Sequence, residues 1–387
     1  MPDQYSAISN QNLRGALRAS APARGVEVGD ARSLLRGRQL FVLGEEVIDA
    51  APWVSASASG IVTTGAYGVR QARQLKDAHP AHALIIEPTR IEGEFGYWAN
   101  PEQPFYLGDP NMMIRPTLDE ALTEMRAAHS TIAITPTGQF KVGDSDSLKT
   151  ALSMVNDVDR TDTAFLIPIS GAVLDREDTV RQLIAVINRS KHPVLLALTS
   201  DKNPVHNERR RRAYRRIFEE ATNMVIPWRV DLSGFDALAH GAVGMAVGVI
   251  PSKRRLTPVG RKGGSAADPS DMAPHMFIGD LLRFVRSTEL RRHWFVDVES
   301  IACLCAICEN QPIDRLFHSD EDRLTGHLHN ALDLQRLHEQ TFGLSPTEIG
   351  AWWAAQAAAA LDTYAQLESY LGRAVPIPDE VMFWSQR

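Results

Sequence analysis

The sequence predicts an α/β protein: a parallel sheet with helical crossovers, followed by a helical C-terminal region built around a metal. Three observations lead there. Short apolar, β-branched runs alternate with amphipathic stretches at a spacing of about 30 residues, the rhythm of strands joined by crossover helices. All three cysteines of the 387-residue chain lie in the stretch CLCAIC, residues 303–308. Beyond residue 345 the text becomes alanine-rich and helical in period.

Taken in order, two weaker runs come first, QLFVLG (39–44) and SGIVTTG (59–65). Six plainer strands follow: HALIIEP (82–88), STIAITP (130–136), TAFLIPIS (163–170), HPVLLALTS (192–200), NMVIPWR (223–229) and VGMAVGVIP (243–251). Helical text lies between them, as in TLDEALTEMRAA (117–128), REDTVRQLIAVINRS (176–190) and ERRRRAYRRIFEEA (208–221). Periodicity alone leaves two arrangements, a closed barrel and a doubly wound open sheet. Ser345 and Glu348 form a capping box that opens a long helix, whose Trp, Leu and Tyr residues are expected to pack against the cysteine element. The Gly/Ser/Pro-rich segment 260–274 reads as a loop.

Bulk composition limits the functions. A hydrophobic fraction of 44% with 23% charged residues is that of a soluble globular chain. No apolar run approaches the roughly 18 residues of a membrane span, so no membrane partner is expected. The polar opening MPDQYSAISNQNLRG does not read as a secretory signal. Three cysteines cannot all pair with one another, which argues for a reducing, cytoplasmic setting. The net charge of −6 argues against a globally basic nucleic-acid binder and leaves room for local basic patches.

A C-x-C-x2-C cluster reads either as small buried hydrophobes or as thiolate ligands of one tetrahedral ion. The gathering of every thiol favours ligands. His318, His327, His329 and His338 are the nearby candidates for a fourth. The text DRLTGHLHNALDLQRLHEQ (322–340) reads as a helix, with Leu324, Leu328, Leu332 and Leu337 near helical spacing. His327 and His329 sit about 200° apart on it, so both cannot face the cysteines, and spacing does not choose between them.

C-x-C-x2-C followed by about twenty residues and a helical His-Asn resembles the zinc site of the tRNA-guanine transglycosylase superfamily, which includes the 7-deazaguanine DNA transglycosylases. The resemblance implies a (β/α)8 TIM-type barrel with a C-terminal helical zinc-binding element. It implies a structural Zn²⁺ on Cys303, Cys305, Cys308 and His329, the histidine of His-Asn, with His327 as the fallback. It divides the chain into 1–80 (N-terminal segment and first strands), 81–295 (the remaining barrel) and 296–387 (the zinc-binding and helical region). The implied chemistry is pentosyl transfer, exchanging guanine for a 7-deazaguanine base in DNA or tRNA.

Active residues of such a barrel sit at the C-terminal strand ends. Those ends carry Glu87, Thr137 to Gln139, Ser170 with Gly171, Asp201, and Arg229 with Asp231. The family's last strand supplies an aspartate that captures the ribose C1′ as a covalent glycosyl intermediate. The ungapped frame here, Met245-Ala246-Val247-Gly248-Val249-Ile250-Pro251, puts Val247 at that position, and valine cannot form the intermediate. Glu87 stands where the family has a second aspartate, so Glu87, Asp231 and Asp201 are the expected catalytic carboxylates. Helix capping is the bland reading of Asp201. Gln139, Ser170 and Gly171 fall at base-binding positions.

Lys253, Arg254, Arg255, Arg261 and Lys262 follow the last strand and are expected to hold phosphates. The denser run Arg209–Arg212 with Arg215 and Arg216 reads mainly as a solvated face paired with Glu208, Glu219 and Glu220. Two functions follow: an active transglycosylase, or an inactive paralogue that keeps barrel, zinc and basic loop as a nucleic-acid-binding or partner subunit. A homodimer is compatible with either. A small-molecule glycosidase on the same barrel would leave the basic loop without a purpose.

Overall fold

The computed structural model describes residues 29–44, 47–109, 114–262 and 273–386. The polar opening read as non-secretory, and most of the loop 260–274, lie outside the described residues. All eight expected strands form: β1 (Gln39–Val42), β2 (Ser59–Thr63), β3 (Ala83–Ile86), β4 (Ala133–Ile134), β5 (Thr163–Ser170), β6 (Val194–Thr199), β7 (Val225–Val230) and β8 (Met245–Gly248). Their order is β3-β2-β1-β8-β7-β6-β5-β4, and every pairing is parallel.

The first strand therefore lies between the second and the eighth, as ring closure requires. At the β3–β4 seam, residues before β4 complete the ring. Thr131 N donates to Leu84 O at 2.6 Å. The Leu84 and Ile86 amides donate to Thr131 Oγ1 at 3.0 Å and Ser130 Oγ at 2.9 Å, so hydroxyls stand in for ladder carbonyls. The fold is a (β/α)8 barrel, and the open doubly wound alternative falls away.

Side chains alternate between two cores, as strand geometry dictates. Leu40, Val42, Val62, Ile85, Ile134, Leu166, Ala197, Ile226, Trp228 and Ala246 fill the barrel interior. Phe41, Ile61, Leu84, Phe165, Leu196 and Val247 meet the surrounding helices. These helices are α1 (Gly68–Ala78), α2 (Leu118–Ala127), α3 (Ser145–Asn156), α4 (Glu177–Arg189), α5 (Glu208–Glu220) and α6 (Ser233–Ala239). Capping is local: Thr117 and Glu120 form a capping box on α2, and Asn207 caps α5 by accepting from Arg210 N at 2.9 Å. The cap of α5 is thus Asn207 and not Asp201.

After β8 the chain crosses the mouth and forms an antiparallel hairpin, β9 (His275–Ile278) and β10 (Arg283–Arg286). The cysteine stretch runs between β11 (Ala302–Cys303) and β12 (Gln311–Pro312). Then α7 (Asp320–Thr341) returns to the barrel wall. Ser59 Oγ donates to Gln335 Oε1 at 2.8 Å, Gln39 Nε2 donates to Leu334 O at 3.4 Å, and His338 Nε2 bonds Ala58 O at 3.1 Å. It lies against the starts of β1 and β2.

The last two helices are α8 (Pro346–Leu371) and α9 (Asp379–Ser385). The expected packing of α8 on the cysteine region holds for its second half, where Tyr364, Leu367 and Leu371 share a cluster with Ile313 and Cys303 as well as with Val285 of the hairpin. Its first half covers the barrel instead, with Trp353 stacked on Phe235 of α6 at 5.1 Å. Among the described residues no helix is long and apolar enough to cross a membrane.

Candidate metal centre and barrel mouth

The cysteine stretch is a tight reversal. Asn310 N donates to Cys303 O at 3.0 Å and Glu309 N to Cys305 O at 2.9 Å, while Glu309 and Asn310 take left-handed φ of 54° and 62°. The turn aims all three sulfurs inward at α7. Cys303, Cys305, Cys308 and His329 place one donor atom each within 4.8 Å of one another. His329 Nδ1 lies 3.5, 3.3 and 3.7 Å from the sulfurs of Cys303, Cys305 and Cys308. A tetrahedral ion with bonds of about 2.3 Å to sulfur and about 2.0 Å to nitrogen has a sulfur–nitrogen edge of about 3.5 Å. The cluster has the dimensions to hold a metal ion.

Supporting groups orient the ligands. His329 Nε2 meets the Phe277 carbonyl at 2.7 Å, fixing the ring so that Nδ1 faces the thiols. Asp333, one turn on, lies 3.5 Å from the same nitrogen. Burial disfavours a charged His329 ring, but Cys305, Cys308 and Asp333 outweigh it and raise its pKa well above the ordinary value. Hydrogen bonds with Cys303 and Cys308 pull the Cys305 thiol down, while hydrogen bonds to Cys305 and Cys308 together with burial push the Cys303 thiol up. Met276, Leu316 and Leu332 pack around the turn. His329 is the histidine at the cysteines, and His327 lies outside the cluster.

The barrel mouth is filled. In β7 the register slips between Trp228 and Val230, and Arg229 between them has φ 56°. This bulge turns two consecutive side chains toward Glu87. Trp228 Nε1 donates to Glu87 Oε1 at 2.7 Å and Arg229 Nε to the same oxygen at 2.9 Å. Arg229 Nη2 also reaches Glu92 at 2.8 Å, and Nη1 donates to Ser252 O at 3.2 Å. The Arg229 and Glu87 side chains expose 2% and 1%. Burial works against the Arg229 charge, but the Glu87 and Glu92 carboxylates more than restore it and raise its pKa.

Gln139 completes the roof. Its Nε2 donates to Ile91 O at 2.8 Å and Thr257 O at 2.7 Å, and its Oε1 accepts from Val259 N at 3.0 Å. It thereby ties the loop after β3 to the loop after β8.

At β8, Val247 is fully buried and pairs with Phe41, on the helix-facing side. The inward neighbour is Gly248, where a Cβ would stand 2.2 Å from the Lys253 backbone. No side chain fits there.

The remaining expected residues have local roles. Ser170 Oγ accepts from Ala172 N at 3.3 Å, and Gly171 packs on Pro204. Asp231 accepts from Ser233 N at 2.9 Å at the start of α6, and Asp201 is exposed on the loop after β6. Arg254 turns inward: its guanidinium donates to Gly248 O at 3.2 Å and Val249 O at 2.9 Å and lies 3.2 Å from the Phe284 ring centre. Lys253 and Arg255 are half-buried, whereas Arg261 and Lys262 are exposed.

The arginines of α5 pair widely, Arg210 with Asp175 at 2.7 Å, Arg212 with Glu208 at 2.6 Å and Arg215 with Asp236 at 2.8 Å. Glu219 meets His240 instead, at 2.7 Å. Two surface concavities, of about 580 and 240 Å³, lie between α4 and α5 and beside residues 102–108; neither is lined by Glu87, Asp201 or Asp231. Glu92 and the Ser252 carbonyl leave no mark in the sequence, because their roles depend on loops meeting across the mouth.

No family model and no curated protein matches the chain. Among solved structures, the tryptophan synthase α2β2 complex of the hyperthermophile Pyrococcus furiosus is similar at 12% identity and TM-score 0.33, covering 55% of this chain and 88% of that one. Its tryptophan synthase α-subunit in a second structure gives 12% and 0.31 over the same shares, 55% and 88%. Mycobacterium tuberculosis tryptophan synthase gives 14% and 0.27, covering 56% and 85%. Likenesses of this degree transfer no function.

Proposed function

We propose that the chain is a transglycosylase-type barrel that has lost base exchange and acts as a zinc-stapled nucleic-acid-binding or partner subunit. One observation carries the loss of chemistry. A glycosyl intermediate needs a carboxylate facing the sugar C1′, yet Val247 faces the helices and Gly248 has backbone where a side chain would stand. Glu87, an acid at the mouth, is paired with Arg229 and buried.

Zn²⁺ is the ion that suits three thiolates and one imidazole in a closed tetrahedral set. With no open position its role is structural: it pins the cysteine turn between β11 and β12 to α7, which is bonded in turn to Phe277 of β9 and to β1 and β2. Nucleic acid is the partner favoured by the exposed Arg261 and Lys262 at the roof of the mouth.

The competing reading is active exchange of guanine for a 7-deazaguanine, with Asp231 or Asp201 as a relocated nucleophile. Incubating the protein with guanine-containing DNA or tRNA and a labelled 7-deazaguanine separates the two. The expected result is binding without label incorporation. Incorporation abolished by Asp231→Ala or Asp201→Ala would overturn the proposal.

A further inference from the structure

The loop after β3 presents two large aromatic rings to solvent, Phe95 at 71% and Trp98 at 37% exposure. Single exposed rings are ordinary, and it is their grouping with cations on a held loop that marks an interaction surface. Their backbone is held rigidly: Tyr97 N donates to Arg90 O at 2.8 Å, Gln139 N to Tyr97 O at 2.8 Å, and Ala99 N to Gln139 O at 3.0 Å. Gly96 lets the loop lie against Val259, since a Cβ there would stand 2.7 Å from that side chain. The rings are therefore displayed on a fixed scaffold at the roof of the barrel.

Cations surround them. Lys141 Nζ lies 5.3 Å from the Trp98 ring centre. Arg90, whose guanidinium stacks on Tyr106 at 5.1 Å, is exposed on the same loop. Gly260 N donates to Gly93 O at 3.0 Å, which brings the exposed Arg261 beside Gly93 of this loop, with exposed Lys262 next in the chain. Arg90, Lys141, Arg261 and Lys262 form no ion pair among the described residues, unlike the arginines of α5. Glu94 and Glu102, both exposed, are opposing charges on the same loop.

From this geometry we infer that Phe95 and Trp98 are a stacking platform for unpaired bases of a single-stranded nucleic acid, with Arg90, Lys141, Arg261 and Lys262 on its phosphates. Flat rings beside unpaired cations match the alternation of base and phosphate along one strand. A duplex has its bases already stacked on one another and offers these rings little. The inference deepens the nucleic-acid reading above and rests on it.

Fluorescence anisotropy tests it, using a labelled mixed-sequence oligonucleotide of about 12 nucleotides, within the usual site size of such surfaces. The same sequence as a duplex and a poly-glutamate peptide serve as competitors. The single strand should bind best. Phe95→Ala with Trp98→Ala should weaken it by about tenfold or more per stacked base while leaving the salt slope intact. Lys141→Gln with Arg261→Gln and Lys262→Gln should flatten the slope of log K against log salt by about 0.7 for each phosphate no longer neutralised. Unchanged melting temperatures would show that these surface variants fold. Equal binding by the aromatic double variant, or tighter binding of duplex or acidic peptide, overturns this inference alone. No binding of any nucleic acid by the wild type overturns the broader reading as well.

Discussion

Replacing Arg229 by alanine removes the cation from the network that closes the barrel. Glu87 is then a carboxylate with 1% exposure whose remaining bond is the Trp228 indole at 2.7 Å. Glu92, previously 2.8 Å from the same guanidinium, keeps only its bond from the Thr257 amide at 3.0 Å. Removing one member of a buried pair costs about 3–5 kcal/mol. A Coulomb interaction of unit charges near 4 Å at an effective dielectric of 20 gives a similar figure, about 4 kcal/mol. The left-handed backbone at 229 strains alanine as it strains arginine, so it does not enter the difference. With an unfolding entropy of about 2 cal/mol/K per residue, a chain of this length should lose about 4–6 °C in Tm. Circular dichroism melts at pH 7 read this directly. Glu87→Gln, which keeps an acceptor for Trp228, completes a double-mutant cycle, and the two losses should fall short of additive by about 1–3 kcal/mol. An Arg229→Ala protein melting within about 1 °C of wild type, or strictly additive losses, would refute the reasoning.

Three further outcomes are expected. Elemental analysis should find one zinc per chain, and Cys305→Ser should lose it and unfold the C-terminal region at lower temperature, because site formation and folding share one free energy; a variant melting like wild type means the site is not structural. Val247→Asp should destabilise the barrel by several kcal/mol without restoring base exchange, since the new carboxylate would sit unpaired between β8 and the helices; a variant as stable as wild type contradicts that orientation. Burial holds the His338 pKa down at about 4, opposed by its bond to the Ala58 carbonyl. The unfolded chain, with an ordinary imidazole near 6.5, binds the proton first, so this group's stability should be lost as pH falls from 6.5 to 4, by up to about 3 kcal/mol. Relative to wild type, His338→Gln should show a flatter dependence in that window, and identical slopes would count against it.

Much of the fold is legible in the sequence because strands and crossovers leave local marks. Even the weak runs at 39–44 and 59–65 proved to be β1 and β2. The helix start capped by Ser345 was equally legible, its polar cap lying next to the first turn. The four residues of the candidate metal cluster were legible as a set, because three of them lie within one turn of chain. Spacing does not choose His329 over His327; the His-Asn of the resemblance does, and it is His329 that lies at the cysteines. The mouth was the least legible. The ion pair of Glu87 with Arg229 joins residues 142 apart and depends on a bulge that apolar periodicity cannot reveal. Arg254 reads as a phosphate ligand until the Phe284 ring is seen beneath it.

The most direct measurement is intact-protein mass after incubation with tRNA or DNA containing the target guanine, followed by denaturation. A retaining exchange passes through a covalent protein–nucleic acid adduct that survives denaturant. With no carboxylate able to face the sugar from β8, and Glu87 locked to Arg229, the mass should be that of the chain alone at every incubation time. An adduct with either nucleic acid, lost in Asp231→Ala or Asp201→Ala, would contradict the account.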